Sequence, residues 1–310
     1  MSGIYTKKHV DDVFDTSRGA LPLKLQKVAE EELGETPSKR QESLEKLRLL
    51  LQAEPDLNAN DDDDFLLRFL RVRKYNVDLA LQNIRKYYRN RADTPSIYRE
   101  FLPSRVPPAA RKLVMVMPAK DVHGRPIFLL KAGSWMPEEV PYLELHRAIL
   151  ICLEHMARDP TTQTLGVVII VDYGGFSADR IFSASLGLMR SGIQYFQDCM
   201  PMRMKAAHVV RQSYAYDVLF ALVKPFVKPK LVERKRLHGE NFEKLHEEIS
   251  PKALPEEYGG QGPAVDHEDC WRPVDADEET FAAENRFGYA INGQDDLPAD
   301  IEEQREETLL

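Results

Sequence analysis

The segment Leu165-Gly166-Val167-Val168-Ile169-Ile170-Val171-Asp172-Tyr173-Gly174-Gly175 decides the fold. Its first seven residues carry no polar side chain, and an acid with a glycine turn follows them. An apolar run of strand length, rich in β-branched residues, is what a central strand covered on both faces requires. The chain around it alternates. Strand-like runs at 113–117, 127–131, 206–211 and, weakly, 235–238 are separated by helical patterns at 141–158, 183–197, 214–224 and 242–249. This alternation predicts an α/β layer with a mostly parallel sheet.

Upstream, residues 21–102 read as an all-helical module. Leu44, Leu47, Leu50 and Leu51 fall at helical spacing behind Pro37-Ser38, and a further helix is expected over 77–91. Asp61-Asp62-Asp63-Asp64 precede the run Phe65-Leu66-Leu67-Arg68-Phe69-Leu70-Arg71, where carboxylates favour a helix N-terminus. A calcium loop would need a mid-loop glycine and a terminal bidentate glutamate, and both are missing. The proline-rich stretch 103–108 opens the second unit, 103–262. Residues 1–20 are expected to be flexible. Residues 263–310, acidic and poor in aliphatic side chains, are expected to be largely flexible with a short helix near 278–287.

Of the 310 residues 43% are hydrophobic, yet no apolar run approaches the roughly 18–20 residues of a membrane span. The first residues lack the apolar core of a signal peptide, and Ser2 stands where myristoylation needs glycine. Cys152, Cys199 and Cys270 are too scattered for a disulfide framework or a paired metal site. A soluble, cytoplasmic protein is expected. Its net charge of −8 is uneven: residues 263–310 hold 15 acids against three arginines. Between 201 and 240, nine basic residues face three acidic ones. A basic focus in an acidic chain points to a local anionic partner.

No nucleophile elbow, P-loop, GxGxxG turn or HExxH helix occurs. His146 and His155 lie nine residues apart on one predicted helix, which is not chelating spacing. Asp172 sits where open α/β sheets place ligands and catalytic acids. With no base, metal site or phosphate loop beside it, the better reading is an aspartate bonding the backbone of the glycine turn. No catalytic residue, metal or cofactor is assigned, and an enzyme is not expected.

The segment Ser213-Tyr214-Ala215-Tyr216-Asp217-Val218-Leu219-Phe220-Ala221-Leu222-Val223-Lys224-Pro225-Phe226 is apolar on nearly every face. Such a helix is fully buried or separates two apolar environments. Basic residues flank it, as they flank elements that enter an anionic bilayer boundary. On that reading Tyr216, Phe220 and Val223 close over a cavity while Ala215, Leu219 and Leu222 face the membrane. Arg203 and Lys205 share one side of an extended segment, and Lys230 and Arg234 lie one helical turn apart. The two pairs could clamp a phosphate. Nucleic acid, the competing polyanion, would want aromatic stacking platforms that the patch lacks.

The run from Phe65 to Tyr75, then Asp121-Val122-His123-Gly124-Arg125-Pro126, Val171-Asp172, Phe196-Gln197-Asp198, Met200-Pro201, Lys224-Pro225-Phe226, His238-Gly239 and Leu254-Pro255-Glu256-Glu257-Tyr258-Gly259-Gly260 resemble, in order, the CRAL-TRIO lipid-transfer proteins. The resemblance spans roughly residues 40–262 and is nearest the tocopherol and retinaldehyde carriers. It implies a helical N-terminal module, a lipid-binding domain floored by the sheet, and a mobile gate helix at 214–223. It also implies a pocket lined by His146, Ile149, Leu150, Leu153, Val167, Val171, Tyr195, Phe196, Met204 and Ala207. The gate would be carried by Tyr216, Leu219, Phe220, Leu222 and Val223, with Arg203, Lys205, Lys230 and Arg234 as the phosphoinositide-headgroup site. Serines that hold tocopherol in the family are replaced by Ile149 and Leu153, so the cargo is left as one hydrophobic lipid, terpenoid or phospholipid. The function implied is a cytoplasmic carrier that meets phosphoinositide-containing endosomal or plasma membranes transiently. A lipid-regulated adaptor with a protein partner on the acidic tail is the alternative, and that tail could fold over the basic cleft as a brake.

Overall fold

A computed structural model describes residues 21–289. The expected flexibility of 1–20, and that of 290–310, falls outside the described residues.

The helical module is built from α1 (Pro37–Gln52), α2 (Asp63–Val72) and α3 (Val77–Asp93). Thr36 accepts from the Lys39 amide at 3.3 Å and Asn76 from the Leu79 amide at 3.0 Å, so two helix starts have side-chain caps. The apolar stripes of the three helices meet: Leu44, Leu47, Leu51, Phe65, Phe69 and Ile84 are all buried. Ahead of α1, a helical turn at Leu23–Val28 widens into a π-type turn at Ala29–Leu33. Gly34 stops it with φ 71°, a left-handed cap that glycine adopts without strain.

The second unit runs β1 (Val114–Lys120), β2 (Pro126–Leu130), α4 (Tyr142–Arg158), β3 (Val167–Asp172), α5 (Leu186–Gln194), β4 (Met204–Val210), α6 (Tyr214–Val223) and β5 (Lys235–Gly239). The strands form one sheet in the order β1-β2-β3-β4-β5. β1 and β2 are an antiparallel hairpin, and the remaining pairings are parallel. This is the expected mostly parallel mixed sheet with flanking helices. Both faces of β3 are covered, as its composition demands. Val167 and Ile169 join the core shared with the helical module, whereas Val168 and Ile170 pack with Leu245, Ile249, Leu254 and Tyr258. The helix expected over 183–197 begins at Leu186 and continues into a π-type turn, Tyr195–Cys199.

The segment after 262 departs from expectation except for the short helix near 278–287, which is present at Glu278–Glu284. Residues His267–Asp275 form α7 and Glu278–Glu284 form α8, and Gly288–Tyr289 pairs with Leu57–Asn58. Acidic content suggested loose chain, but Cys270, Trp271, Val274 and Phe281 are buried and decide otherwise. The indole N–H of Trp271 donates to the carbonyl of Val114 at 2.8 Å, so α7 covers the edge strand β1. The described part of the tail therefore lies at the β1 edge of the sheet, not over the basic residues of 201–240. Among the described residues no helix is long and apolar enough to cross a membrane.

Candidate functional site

A cavity of about 230 Å³ lies between α4, α5 and α6. α4 contributes Tyr142, His146 and Ile149, a stripe at helical spacing, and α5 contributes Met189, Gly192 and Ile193. Phe196 enters from the π-type turn, whose extra residue rotates the end of α5. Tyr173 follows β3, and Tyr216, Leu219, Phe220 and Val223 come from α6. No charged side chain lines this space. Aromatic rings dominate it: Tyr216 meets Tyr173 edge-on at 4.9 Å and stacks on Phe220 at 5.9 Å.

Of the expected pocket residues, His146, Ile149 and Phe196 line this cavity. Leu150, Leu153, Val167, Tyr195 and Met204 are instead buried in the main core, with Val171 and Ala207 half-buried against it. Tyr195 is fixed there by donating to Glu154 at 2.9 Å. Sequence reasoning missed Tyr142, Tyr173, Met189, Gly192 and Ile193. The spacing of Tyr142 to His146 carried a signal; Gly192 carried none.

The two faces of α6 also differ from expectation. Leu219 lines the cavity rather than the outside, and Ala215 is buried with Phe176 and Ile181. The outward stripe is Tyr214, Val218 and Leu222, 80%, 37% and 43% exposed, continued by Phe226. Ala215 and Tyr216 are the buried residues of this ten-residue helix, so it adheres to the body through few contacts. Its far end is stapled by Gln197, which donates to the Phe226 carbonyl at 3.0 Å and accepts from the Lys228 amide at 2.5 Å.

The basic residues gather at the N-terminal ends of the parallel strands. Arg203 and Lys205 flank the start of β4, and Arg234 precedes β5 and donates to the Met204 carbonyl. Arg125, before β2, adds its charge to theirs. Lys230 is exposed on the short helix Pro229–Glu233 and makes no ion pair among the described residues. A carboxylate from the first unit already occupies the cleft: Glu32 Oε2 lies 3.5 Å from Arg203 and 3.4 Å from Lys205. Burial pulls both cations below their ordinary pKa values, with repulsion among the clustered charges adding to it. Burial pushes Glu32 up, but Lys205 and Arg203 outweigh it and hold its carboxyl below the usual range.

Asp172 is held by its neighbours. It accepts from Arg211 Nε at 2.9 Å, the Gly174 amide at 2.9 Å and the Tyr258 hydroxyl at 3.0 Å. Burial raises its pKa, yet Arg211 and these donors together hold it below the ordinary value. It closes the glycine turn, as the sequence suggested. Among the described residues no group of histidines, cysteines and acids could hold a metal ion.

Comparison with known proteins agrees with this architecture. The CRAL/TRIO domain family matches residues 110–260, and the Pinta-like UBA domain family matches residues 36–104. The alpha-tocopherol transfer protein-like protein of Homo sapiens is 34% identical over 258 residues, covering 83% of this chain and 75% of its own. Clavesin-1 of Rattus norvegicus is 32% identical over 240 residues, covering 76% of this chain and 68% of its own. The crystal structure of Sfh5 shares the fold at a TM-score of 0.50 and 14% identity, covering 86% of this chain and 92% of that one. With relatives this similar over most of their length, and the five-stranded sheet in place, the chain belongs to the CRAL/TRIO domain family.

Proposed function

We propose that the protein is a non-catalytic carrier that holds one hydrophobic lipid behind α6 and exchanges it at membranes bearing phosphoinositides. The observation that carries this reading is the two-sided character of α6. Its inner face lines an uncharged aromatic cavity, and its outer face exposes Tyr214, Val218 and Leu222. A helix apolar on both sides with few buried residues can trade one apolar environment for another at small cost.

At about 230 Å³ the cavity is smaller than the roughly 300 Å³ at which sites for sizeable ligands begin. A C20-sized lipid therefore needs α6 to move. Burying such a lipid removes several hundred Å² from water, on the order of 10 kcal/mol at about 25 cal/mol per Å². Escape into water is slow on that scale, so exchange needs a trigger. The clustered cations Arg203, Lys205 and Arg234 supply one: an anionic headgroup binds there, and α6 then enters the bilayer boundary. The name alpha-tocopherol transfer protein-like, carried by a relative, points in the same direction.

Lipid transfer between vesicles tests the reading. Phosphoinositide in the acceptor vesicles should accelerate transfer of a fluorescent lipid by the wild-type protein. Arg203→Glu with Lys205→Glu should abolish that acceleration while lipid still binds. Equal transfer by mutant and wild type would sink the proposal.

A further inference from the structure

Among the described residues the buried histidines, and the half-buried His246, are tied down, with one exception. His155 Nδ1 lies 2.8 Å from Asp277, His208 Nδ1 lies 2.9 Å from His238, and His246 Nε2 meets the Tyr258 carbonyl at 2.9 Å. His146 is only 4% exposed, yet among the described residues no hydrogen bond or ion pair reaches its ring. Buried polar groups nearly always have a partner, so an imidazole without one marks a place where a partner belongs. The ring lines the cavity behind α6.

The neighbouring helix is shaped to admit it. A Cβ at Gly192 would stand 2.8 Å from His146 Cε1 and 3.3 Å from Nε2, closer than packing allows. Glycine at this position of α5 leaves room for the edge of the imidazole beside the cavity that both residues line. Burial holds the ring well below its ordinary pKa, at about 4, so near neutral pH it is uncharged and offers one donor and one acceptor. The remaining polar groups of the lining are the phenols of Tyr142, Tyr173 and Tyr216, and no lysine or arginine is among them.

We infer that His146 is the hydrogen-bonding anchor of the cargo, and that the cavity selects an uncharged lipid bearing a hydroxyl or carbonyl. A hydrocarbon would leave the imidazole buried without a partner. A free carboxylate would bring a charge into a space with no cation to meet it. This rests on the carrier reading and sharpens it, since it disfavours a charged headgroup inside the cavity.

The experiment is a fluorescence titration of the full chain with three conjugated C18 polyenes that differ only at the end: alcohol, parent hydrocarbon and carboxylic acid. The wild type should bind the alcohol about tenfold more tightly than the hydrocarbon, one hydrogen bond's worth, with the acid weakest. In His146→Leu the alcohol should fall to the affinity of the hydrocarbon. His146→Gln, which keeps a donor and an acceptor, should retain part of the preference and guards against a folding defect in the leucine variant. Equal binding of alcohol and hydrocarbon by the wild type, or a preference that survives in His146→Leu, overturns the anchor and leaves the carrier. Failure of the wild type to bind any of the three overturns the carrier reading itself.

Discussion

The ammonium of Lys235 sits 3.3 Å above the centre of the Phe220 ring, so the first residue of β5 is clamped onto α6. Tyr216, one turn earlier, has its ring centre 5.5 Å from the same ammonium. The contact ties a helix with few buried residues to the rigid sheet. A cation over an aromatic face contributes about 0.5–2 kcal/mol, more as water is excluded. Lys235→Met keeps the stem and removes the charge. It should raise the rate of lipid release to vesicles several-fold, with the change in thermal stability staying small. A release rate equal to wild type would mean the clamp does not hold α6.

Glu32 lies within 3.5 Å of Arg203 and within 3.4 Å of Lys205, so an anionic headgroup must displace an internal carboxylate. Exposed pairs of this kind contribute about 0–1 kcal/mol each. Glu32→Gln should therefore strengthen binding to phosphoinositide vesicles by a few-fold, measured by co-sedimentation at low salt. The gain should shrink as salt is raised past the point where the Debye length falls to about 8 Å. Unchanged binding would show that Glu32 does not compete for the cleft.

Much of this layout was legible in the chain, and the failures have physical causes. The apolar run around Val168 and Ile170 could only be a doubly covered strand, and the helices at 37–52 and 142–158 follow from spacing. The orientation of α6 was not legible, because a helix apolar all round has no polar face to fix which residues turn inward. Ala215 turns inward because Phe176 and Ile181 wait for it, a contact only the fold creates. The tail misled through its charge: Cys270, Trp271 and Val274 fall at helical spacing, a pattern outweighed by the surrounding acids. Pocket and core residues of α4 differ only in what the opposing helix leaves unfilled, and sequence does not carry that. Nor does it carry the approach of Glu32 to Arg203.

Glu284 of α8 bridges Arg68 at 2.9 Å and also pairs with Arg158, joining the tail to the helical module. Burial raises its carboxyl, but Arg68 and Arg158 outweigh that and hold it at about 2 against an ordinary 4.5. A depressed folded-state pKa stabilises the fold at pH values above 4.5, and that contribution is lost as pH falls from there towards about 2. It is worth about 3 kcal/mol at neutral pH, given about 1.4 kcal/mol per pKa unit. Urea unfolding of wild type and Glu284→Gln should differ by about 3–5 kcal/mol near pH 7, because the buried Arg68 guanidinium loses its ion-pair partner and Arg158 keeps only Asp277. The gap should narrow steadily below pH 4.5, and a gap independent of pH would refute the assignment.

Trp271 is 1% exposed, and its indole N–H is shared between the carbonyls of Val114 at 2.8 Å and Arg111 at 3.1 Å. It plugs the β1 edge of the sheet, and Phe281 of α8 meets Phe101 at 5.7 Å from the other side. The described tail is thus part of the fold, and two truncations should behave oppositely. Ending the chain after residue 289 leaves every one of these contacts in place and should leave the melting temperature unchanged. Ending it after residue 262 uncovers β1 and strips Arg68 of Glu284. Removing Trp271 alone, as Trp271→Ala, should cost about 3–5 kcal/mol. The longer truncation should cost more and yield protein that aggregates through the open strand edge. Thermal melts and size-exclusion chromatography of the three variants decide it. A stable monomer ending at residue 262 would mean that α7 and α8 merely rest on the domain.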